Sequence, residues 1–258
     1  MSLALPVLSL QLYSLRQLGD LDAQLDAAAK AGFVHVETIG SHLENPSALK
    51  SGLATRGLTA PTGHIGLPAL RGDLSRIADS CLSCGIGQLF MPALPAEERG
   101  KTAQAWQRSG AELGAIASRL SEKGVALGYH NHHWELDPLE GGGCGLQRLF
   151  EGAEGSPLTW QADVAWLARA DVNPVDWLDR YSHLLVAAHV KDQARSGKHA
   201  DEDGWTDVGS GILDWPSLWS AAIGRGARVL VVEHDNPKDP AGFAARSFDY
   251  LRRFEQAA

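Results

Sequence analysis

The sequence is poor in cysteine, with three among 258 residues. So small and odd a number cannot form the paired disulfide framework on which small secreted proteins depend. Cys81 and Cys84 have CxxC spacing, but they fall in a stretch of helical period with no further Cys or His near enough to complete a zinc knuckle. We interpret the cysteines as reduced thiols in the core, and we expect a cytoplasmic protein.

Long apolar runs and an excess of positive charge are also lacking. No stretch approaches the 18 consecutive apolar residues of a membrane span, and no Lys or Arg precedes the apolar opening of the chain, which favours a first strand over a signal peptide. Lys and Arg total 23 against 31 Asp and Glu, a formal net charge of −8. Because this charge repels phosphate backbones and anionic lipids, we expect neither a nucleic-acid partner nor a membrane surface.

Short apolar or β-branched runs alternate along the chain with longer stretches of helical period. Eight runs are strand candidates, at residues 7–13, 33–37, 58–65, 87–91, 125–131, 158–163, 184–190 and 228–233. A capping side chain followed by proline marks helix starts at Asn45, Asn173 and Asp239. The first helix is predicted between Asp20 and Gly32, and the longest at about 97–123.

Eight strands in 258 residues give a spacing of about 32 residues, the size of one β-loop-α unit. Such units form either a closed barrel or an open doubly wound sheet. A doubly wound sheet should carry a glycine fingerprint after its first strand, but Tyr13 to Arg16 follow here and the chain has no GxGxxG or P-loop. Because closure removes edge strands, we predict an α/β fold of the (β/α)8 TIM-barrel type that spans residues 1–258 as a single domain.

Ionisable residues end six of the eight predicted strands. They are Glu37, His64, His130 with the following His132, His133 and Glu135, Asp163, His189 with Lys191, and Glu233. Any one of them has an ordinary explanation as a helix cap or loop anchor. Burial of so many polar groups at strand ends costs desolvation free energy, however, and the carboxyl ends of barrel strands meet at one rim. Together they predict a site there.

Three of the chain's 10 histidines lie within four positions, His130 at the end of the fifth predicted strand and His132 and His133 just after it. Strand alternation sends His130 and His132 to one face and His133 to the other. Imidazoles and carboxylates without cysteine form a ligand set for manganese, magnesium, cobalt or zinc, and not a sulfur-rich zinc site. Lys191 shares a face with His189, so it is a candidate to stabilise an enolate or alkoxide, with an ordinary salt bridge as the alternative.

Three further features of the sequence each have two interpretations. The glycine-rich turn 209–211 either cradles a phosphate at the next helix N-terminus or simply leads into a capped helix. Arg195, in a loop after Lys191, is either a substrate ligand or a solvent-exposed side chain. The tryptophans near the rim, Trp166 among them, either stack on a sugar ring or belong to the core.

Five segments of the chain together resemble the xylose-isomerase-like TIM-barrel superfamily, the sugar phosphate isomerase/epimerase group that also includes endonuclease IV. They read GYHNHHWE, QADVAWLARADVNP, AHVKDQAR, DVGSGILDW and VVEHDNP. The resemblance implies one divalent metal ion, most commonly manganese, held by side chains from strands five to eight. It implies Asp163, His189 and Glu233 as ligands. Many members carry a glutamate on strand five, where this chain has His130, so His130 becomes the fourth ligand.

The same resemblance implies a set of substrate-binding residues. Arg195 matches the arginine that follows the ligand histidine, while Glu37 and His64 match substrate-facing positions on strands two and three. His132 joins them on the fifth strand. Trp166 stands where the group frequently has histidine, three residues past the aspartate, which implies an altered orientation of the substrate.

The implied reaction is proton abstraction next to the carbonyl of a ketose-like sugar or polyol, with Glu233 as the base. Epimerisation needs a second acid/base, which Glu135 or a histidine must supply. We therefore expect a metal-dependent sugar isomerase or epimerase. A dehydratase of an inosose or keto-sugar is the alternative, because loss of a β-hydroxyl can follow the same abstraction. A non-catalytic sugar-binding barrel is a third reading, a homo-oligomer is one alternative for the assembly, and the −8 charge disfavours an endonuclease.

Overall fold

The computed structural model describes residues 6–255. Residues 1–5, at the apolar opening of the sequence, and residues 256–258 lie outside the described residues.

Eight parallel strands close into a barrel. They are β1 (Val7–Gln11), β2 (His35–Thr38), β3 (Thr59–His64), β4 (Gln88–Met91), β5 (Ala126–His130), β6 (Thr159–Asp163), β7 (Leu185–Val190) and β10 (Val229–Val232), and their order is β1-β10-β7-β6-β5-β4-β3-β2. Each overlaps one predicted run, so the TIM-barrel prediction is confirmed and the open sheet is excluded.

Helices follow the strands around the outside of the barrel. They are α1 (Leu21–Ala31), α2 (Pro46–Thr55), α3 (Leu67–Leu70), α4 (Leu74–Ser83), α5 (Ala103–Ser121), α6 (Gly145–Gly152), α7 (Val164–Arg169), α8 (Pro174–Arg180), α9 (Trp215–Gly224) and α10 (Pro240–Glu255). Between β7 and α9, the two-residue strands β8 (Asp192–Gln193) and β9 (Trp205–Thr206) pair antiparallel outside the barrel. Within the described residues, no helix is long and apolar enough to cross a membrane.

The predicted helix starts agree with the structure at Asp20, Asn45, Asn173 and Asp239, whose side chains accept hydrogen bonds from the first turns of α1, α2, α8 and α10. The longest helix begins later than predicted, at Ala103 and not near residue 97. The physical reason is a separate short 3₁₀ turn at Ala96–Glu98. The chain re-enters helix only after Thr102, whose hydroxyl accepts from the Ala105 amide.

Helices α5 and α6 pack so closely that the backbone of one contacts a glycine of the other. A Cβ added at Gly110 would lie 1.9 Å from the carbonyl oxygen of Leu149, and one added at Gly152 would lie 2.0 Å from that of Gln107. No side chain fits in either gap, so glycine is required at both contacts. The pair brackets β5 along the chain and packs outside the barrel.

The barrel interior becomes polar toward the carboxyl ends of the strands. On β6, Trp160 is directed outward, where it contacts the rings of Phe150 and Tyr181, while Gln161 and Asp163 are directed inward. The strand register aligns the polar residues, because Asp163 pairs with His189. This polar layer lies at the rim where barrel enzymes carry their sites.

Candidate functional site

Four of the inward-facing side chains converge at the carboxyl ends of the strands. One ligand atom from each of His130, Asp163, His189 and Glu233 lies within 4.8 Å of the others, and all four residues are buried. They come from β5, β6, β7 and the position just after β10. We call them the four-residue cluster. Two imidazoles and two carboxylates are donors that suit manganese, zinc or cobalt.

Asp163 is held with one oxygen directed at the cluster. Its Oδ1 accepts the backbone N–H of Trp166 at 2.9 Å and so caps α7. Its Oδ2 is buried without a hydrogen-bond partner among the described residues. The side chain of Asn131 fixes the strand end, since its Oδ1 accepts from the Asp163 backbone N–H at 3.0 Å and from Trp160 Nε1 at 3.0 Å. A buried carboxylate oxygen without a partner fits a position for a metal ion.

Gln161 connects both sides of the polar layer. Its Oε1 accepts hydrogen bonds from His64 Nε2 at 2.7 Å and from His130 Nδ1 at 3.0 Å, while its Nε2 donates to Glu37 Oε2 at 2.7 Å. An amide oxygen can only accept, so His130 carries its proton on Nδ1 and its Nε2 is free to act as a ligand. That Nε2 lies 3.8 Å from Asp163 Oδ2. Gln161 was not predicted as a site residue, although strand alternation places it on the face of Asp163.

His189 lies between two carboxylates. Its Nδ1 is 2.9 Å from Glu233 Oε2 and its Nε2 is 2.7 Å from Glu37 Oε1. Burial lowers the pKa of His189, but the charges of Glu233 and Glu37 outweigh it and raise that pKa to about 10. In the absence of an ion the ring is therefore a cation that donates to both carboxylates. A metal ion on the Glu233 side would replace one proton, and Glu37 would hold the other.

Glu37 is buried beneath the site and does not line the cavity. Its Oε1 also accepts from Gln11 Nε2 at 2.8 Å and lies 3.1 Å from His64 Nε2. Burial would raise the pKa of Glu37, but His64 and His189 hold it well below its ordinary value. The expected substrate-facing position is thus corrected by the structure. The carboxylate oxygens of Glu37 contact Gln11, His64, Gln161 and His189. Glu37 thereby orients the ring of His189.

Lys191 is fully buried behind the cluster. Its Nζ lies 3.3 Å from Glu233 Oε2 and 3.4 Å from Asp163 Oδ2, and it donates to Asp235. Burial opposes its charge, but the three carboxylates raise the pKa of Lys191 above its ordinary value. The rings of Trp166 and Trp205 lie 4.8 and 4.5 Å from the ammonium. Lys191 does not line the cavity, so it acts on the site through its carboxylate neighbours.

Glu233 keeps its charge and borders the cavity. Burial would raise its pKa, but Lys191 and His189 lower the pKa of Glu233 well below the ordinary value. The residue lines a cavity of about 410 Å³ at the mouth of the barrel. His64, His130 and His132 line the same cavity, as does Asp235, which sequence alternation places on the face of Glu233.

Three other predicted residues lie away from the cavity. Glu135 is fully buried, with Oε1 accepting from Tyr129 Oη at 2.6 Å and Oε2 from the His132 backbone N–H at 2.9 Å. Neither carboxylate oxygen of Glu135 is directed into the cavity. Arg195 is exposed beyond β8 and is not among the lining residues. Trp166 is half-buried and stacks on His133, with the ring centres 4.8 Å apart, so it supports the rim from outside the cavity.

The glycine-rich turn 209–211 does not present free amides. The carboxylate of Asp192 accepts from the backbone N–H groups of Gly209, Gly211 and Leu213 at 2.9, 3.1 and 3.2 Å. A Cβ added at Gly211 would lie 2.1 Å from Asp192 Oδ1. The turn is therefore closed around a side chain of the protein itself.

Comparison with known proteins identifies the class to which this barrel belongs. A family model described as xylose isomerase-like TIM barrel matches residues 25–254, so the chain belongs to that family, as its motifs predicted. A search among curated proteins finds no significant match.

Solved structures share the fold at low sequence identity. A sugar phosphate isomerase/epimerase from Parabacteroides distasonis ATCC 8503 is 20% identical with a TM-score of 0.80, and the match covers 97% of this chain and 95% of that one. The probable 3-DHS dehydratase AsbF from Bacillus anthracis is 14% identical with a TM-score of 0.73, over 95% and 98% of the two chains. The IOLI protein with a binding zinc atom is 15% identical with a TM-score of 0.73, over 97% of each chain. At such identities the likeness establishes the fold alone.

Proposed function

We propose that this protein is a divalent-metal-dependent sugar isomerase or epimerase that removes a proton next to the carbonyl of a ketose-like substrate. The observation that carries the proposal is the four-residue cluster, two of whose members, His130 and Glu233, line a cavity of about 410 Å³. A lone carboxylate or histidine would be consistent with a structural role. Two imidazoles and two carboxylates that share one centre beside an accessible space favour chemistry on a bound ligand.

His130, Asp163, His189 and Glu233 would hold the ion, with manganese as the expected metal. When bound, it would polarise the carbonyl and the adjacent hydroxyl of the substrate and make the intervening C–H bond acidic. The unpartnered Oδ2 of Asp163 and the free Nε2 of His130 support this ligand set. The zinc atom named for the IOLI protein, which has the same fold, is consistent with it.

Glu233 is our candidate base, because it is ionised and lines the cavity. Lys191 is assigned a positioning role, since its ammonium fixes the Glu233 and Asp163 carboxylates without reaching the cavity. His64 and His132 are candidates to donate or accept a proton at the substrate hydroxyls, because both line the cavity.

A dehydratase is the second candidate. Epimerisation by two opposed carboxylates would need a second free carboxylate across the cavity, and Glu135, the residue expected to supply it, has both oxygens occupied by Tyr129 and His132. Dehydration needs one base to remove the proton and one acid to protonate the departing hydroxyl. Glu233 and a cavity histidine suffice for that reaction. The probable dehydratase AsbF has the same fold.

Metal analysis and hydrogen exchange test the proposal together. We expect close to one equivalent of restorable divalent ion, and we expect the manganese-loaded protein to exchange the α-proton of a ketose, keto-glycoside or inosose with solvent deuterium. Glu233→Gln should abolish the exchange and keep the fold, because the amide is isosteric and is not a base. A protein that retains less than about a tenth of an equivalent of metal would support the non-catalytic barrel. Undiminished exchange by the variant would exclude Glu233 as the base.

A further inference from the structure

We propose that the cavity accepts an uncharged keto-sugar that carries an apolar substituent, as in an aryl glycoside, and that it disfavours phosphorylated sugars. The assignment depends on the proposed function for the sugar end of the ligand. The substituent is inferred from the apolar side chains of the cavity wall, and the absence of phosphate from the charges around the cavity.

One half of the cavity wall carries four large apolar side chains beside Ser41 and His64. Tyr13, Ile39, Ile65 and Pro92 line it, from the segments that follow β1, β2, β3 and β4. The four-residue cluster comes from the other half of the rim, formed by β5, β6, β7 and β10. Tyr13 is 40% exposed, which places part of its ring in water when no ligand is bound. Sugar hydroxyls gain no hydrogen bond from these four side chains, whereas an apolar substituent buries its own apolar surface against them.

The lining lacks a cation to neutralise a phosphate. Glu233 and Asp235 line the cavity, and no Lys or Arg of the described chain is among the lining residues. Lys191 lies beneath them, committed to three carboxylates. A phosphate dianion on a part of the ligand that does not reach the bound metal ion would face these two carboxylates with no Lys or Arg to compensate its charge, which costs free energy.

Three arginines at this end of the barrel are engaged elsewhere, and the exposed Arg195 is not a lining residue. Arg16, Arg99 and Arg169 lie over the rings of Tyr13, Trp134 and Trp205, with the guanidinium carbon 3.8, 4.0 and 3.4 Å from the ring centre. Each guanidinium also donates to a backbone carbonyl. None of the three lines the cavity.

The backbone turn best placed for a phosphate is filled by the protein itself. Barrels that bind phosphate commonly use the loops after the seventh and eighth strands of the barrel. Here the turn 209–211 follows the seventh barrel strand, and its amides donate to the buried Asp192 carboxylate. Because that carboxylate takes the amides a phosphate would need, the turn has no vacancy for an external anion.

Three probes that share one ring test the ligand class. They are phenyl 3-keto-β-D-glucopyranoside, its methyl analogue, and the methyl analogue phosphorylated at O6, each titrated calorimetrically into the manganese-loaded protein. We expect the phenyl compound to bind at least about tenfold more tightly than the methyl compound and the phosphate at least about tenfold more weakly. A phosphate that binds as tightly as the methyl compound, a phenyl group without benefit, or no binding by any probe would overturn the assignment.

Substitutions in the cavity wall test which residues contact the phenyl substituent. Tyr13→Ala and Ile39→Ala should each reduce the preference for phenyl over methyl by about threefold or more, with the affinity for the methyl compound nearly unchanged. Val34→Ala is the matched control, since Val34 is 56% exposed just before β2, at the opposite end of the barrel. A phenyl preference that survives both cavity substitutions would contradict the assigned wall.

The binding results separate this inference from the proposed reaction. The expected ranking without any hydrogen exchange would contradict the proposed function and support the ligand class. Exchange with a preference for the phosphorylated probe would support the proposed function and overturn the ligand class.

Discussion

Nε2 of His130 and Oδ2 of Asp163 face each other across 3.8 Å, too far for a hydrogen bond, and the carboxylate oxygen is buried without a hydrogen-bond partner in the described chain, with the Lys191 ammonium 3.4 Å away. Metal–ligand bonds of about 2.0–2.2 Å can bridge two atoms at this separation through one shared ion. Gln161 fixes the free nitrogen on one side, and the cap of α7 fixes the oxygen on the other.

Asp163→Asn should therefore release the metal while the barrel remains folded. The amide can still accept the Trp166 N–H but supplies no negative charge to an ion. We expect the bound divalent ion to fall from about one equivalent to less than about a tenth, measured by elemental analysis after dialysis. Asp79→Asn, on the exposed face of α4, is the control and should change nothing. Full metal retention by Asp163→Asn would remove Asp163 from the ligand set.

Gln161→Leu should weaken metal binding although Gln161 is not a ligand. The substitution leaves the Nδ1 proton of His130 and one oxygen of Glu37 without their partner, so His130 loses its fixed tautomer. We expect a loss of metal affinity of about 10–100-fold, measured by competition with a chelator. Gln161→Glu keeps the acceptor for His130 and should recover part of the affinity. Equal losses in both variants would mean that packing, and not the hydrogen bond to His130, explains the effect.

Lys191→Met should make the fold depend on metal. Removal of the ammonium leaves Asp163, Glu233 and Asp235 close together in a buried site, at a cost of about 3–5 kcal/mol in the metal-free protein. A divalent ion restores the charge balance, so manganese should raise the melting temperature of the variant more than that of the unsubstituted protein. Calorimetric scans with and without manganese measure this. Lys50→Met, exposed on α2, is the control, and equal shifts in all three proteins would contradict the assigned role.

Glu135→Gln should alter the pH dependence of stability. Burial raises the pKa of Glu135 to about 7, above its value of about 4.3 in an unfolded chain. The folded state therefore binds the proton more tightly. The associated stability is present at low pH and is lost as the pH rises from about 4.3 through 7. Between pH 5 and 8 this carboxyl should lower the free energy of unfolding by about 2–3 kcal/mol, and the variant should lack that loss.

Urea unfolding at pH 5, 6, 7 and 8 measures the effect as the difference between the two proteins. The amide can accept the His132 N–H and donate to the Tyr129 hydroxyl, so both contacts persist. Glu154→Gln, at an exposed position, is the matched control. Parallel curves for Glu135→Gln and the unsubstituted protein would mean that Glu135 titrates normally.

The sequence predicts the barrel and the members of the four-residue cluster, because both depend on local patterns. Period-2 alternation identifies the strands, and polar residues at the carboxyl ends of parallel strands must meet at one rim. Asp163, His189 and Glu233 stand at such ends, and the structure brings them together with His130. Their function as ligands stays a prediction.

The supporting contacts could not be read from the sequence, because they cross the barrel. Glu37 and Gln161 are 124 positions apart and bind each other directly. Strand position indicates that Glu37 is directed inward, but not that its oxygens are already occupied. Glu135 and Arg195 fail to reach the cavity for a different reason. They follow strand ends, Glu135 in the short 3₁₀ turn Trp134–Leu136 and Arg195 in the loop after β8, where strand alternation no longer fixes the direction of a side chain.

The glycine contacts between α5 and α6 have a consequence at the opposite side of the barrel wall. With carbonyl oxygens 1.9 and 2.0 Å from where a methyl group would stand at Gly110 and Gly152, the two helices cannot slide or separate without a loss of packing. Helix α5 leads directly into β5 and α6 leads into β6, two strands that pair in the barrel wall. A single carbon added at either glycine would therefore displace the outer segments that lead into the strands of His130 and Asp163.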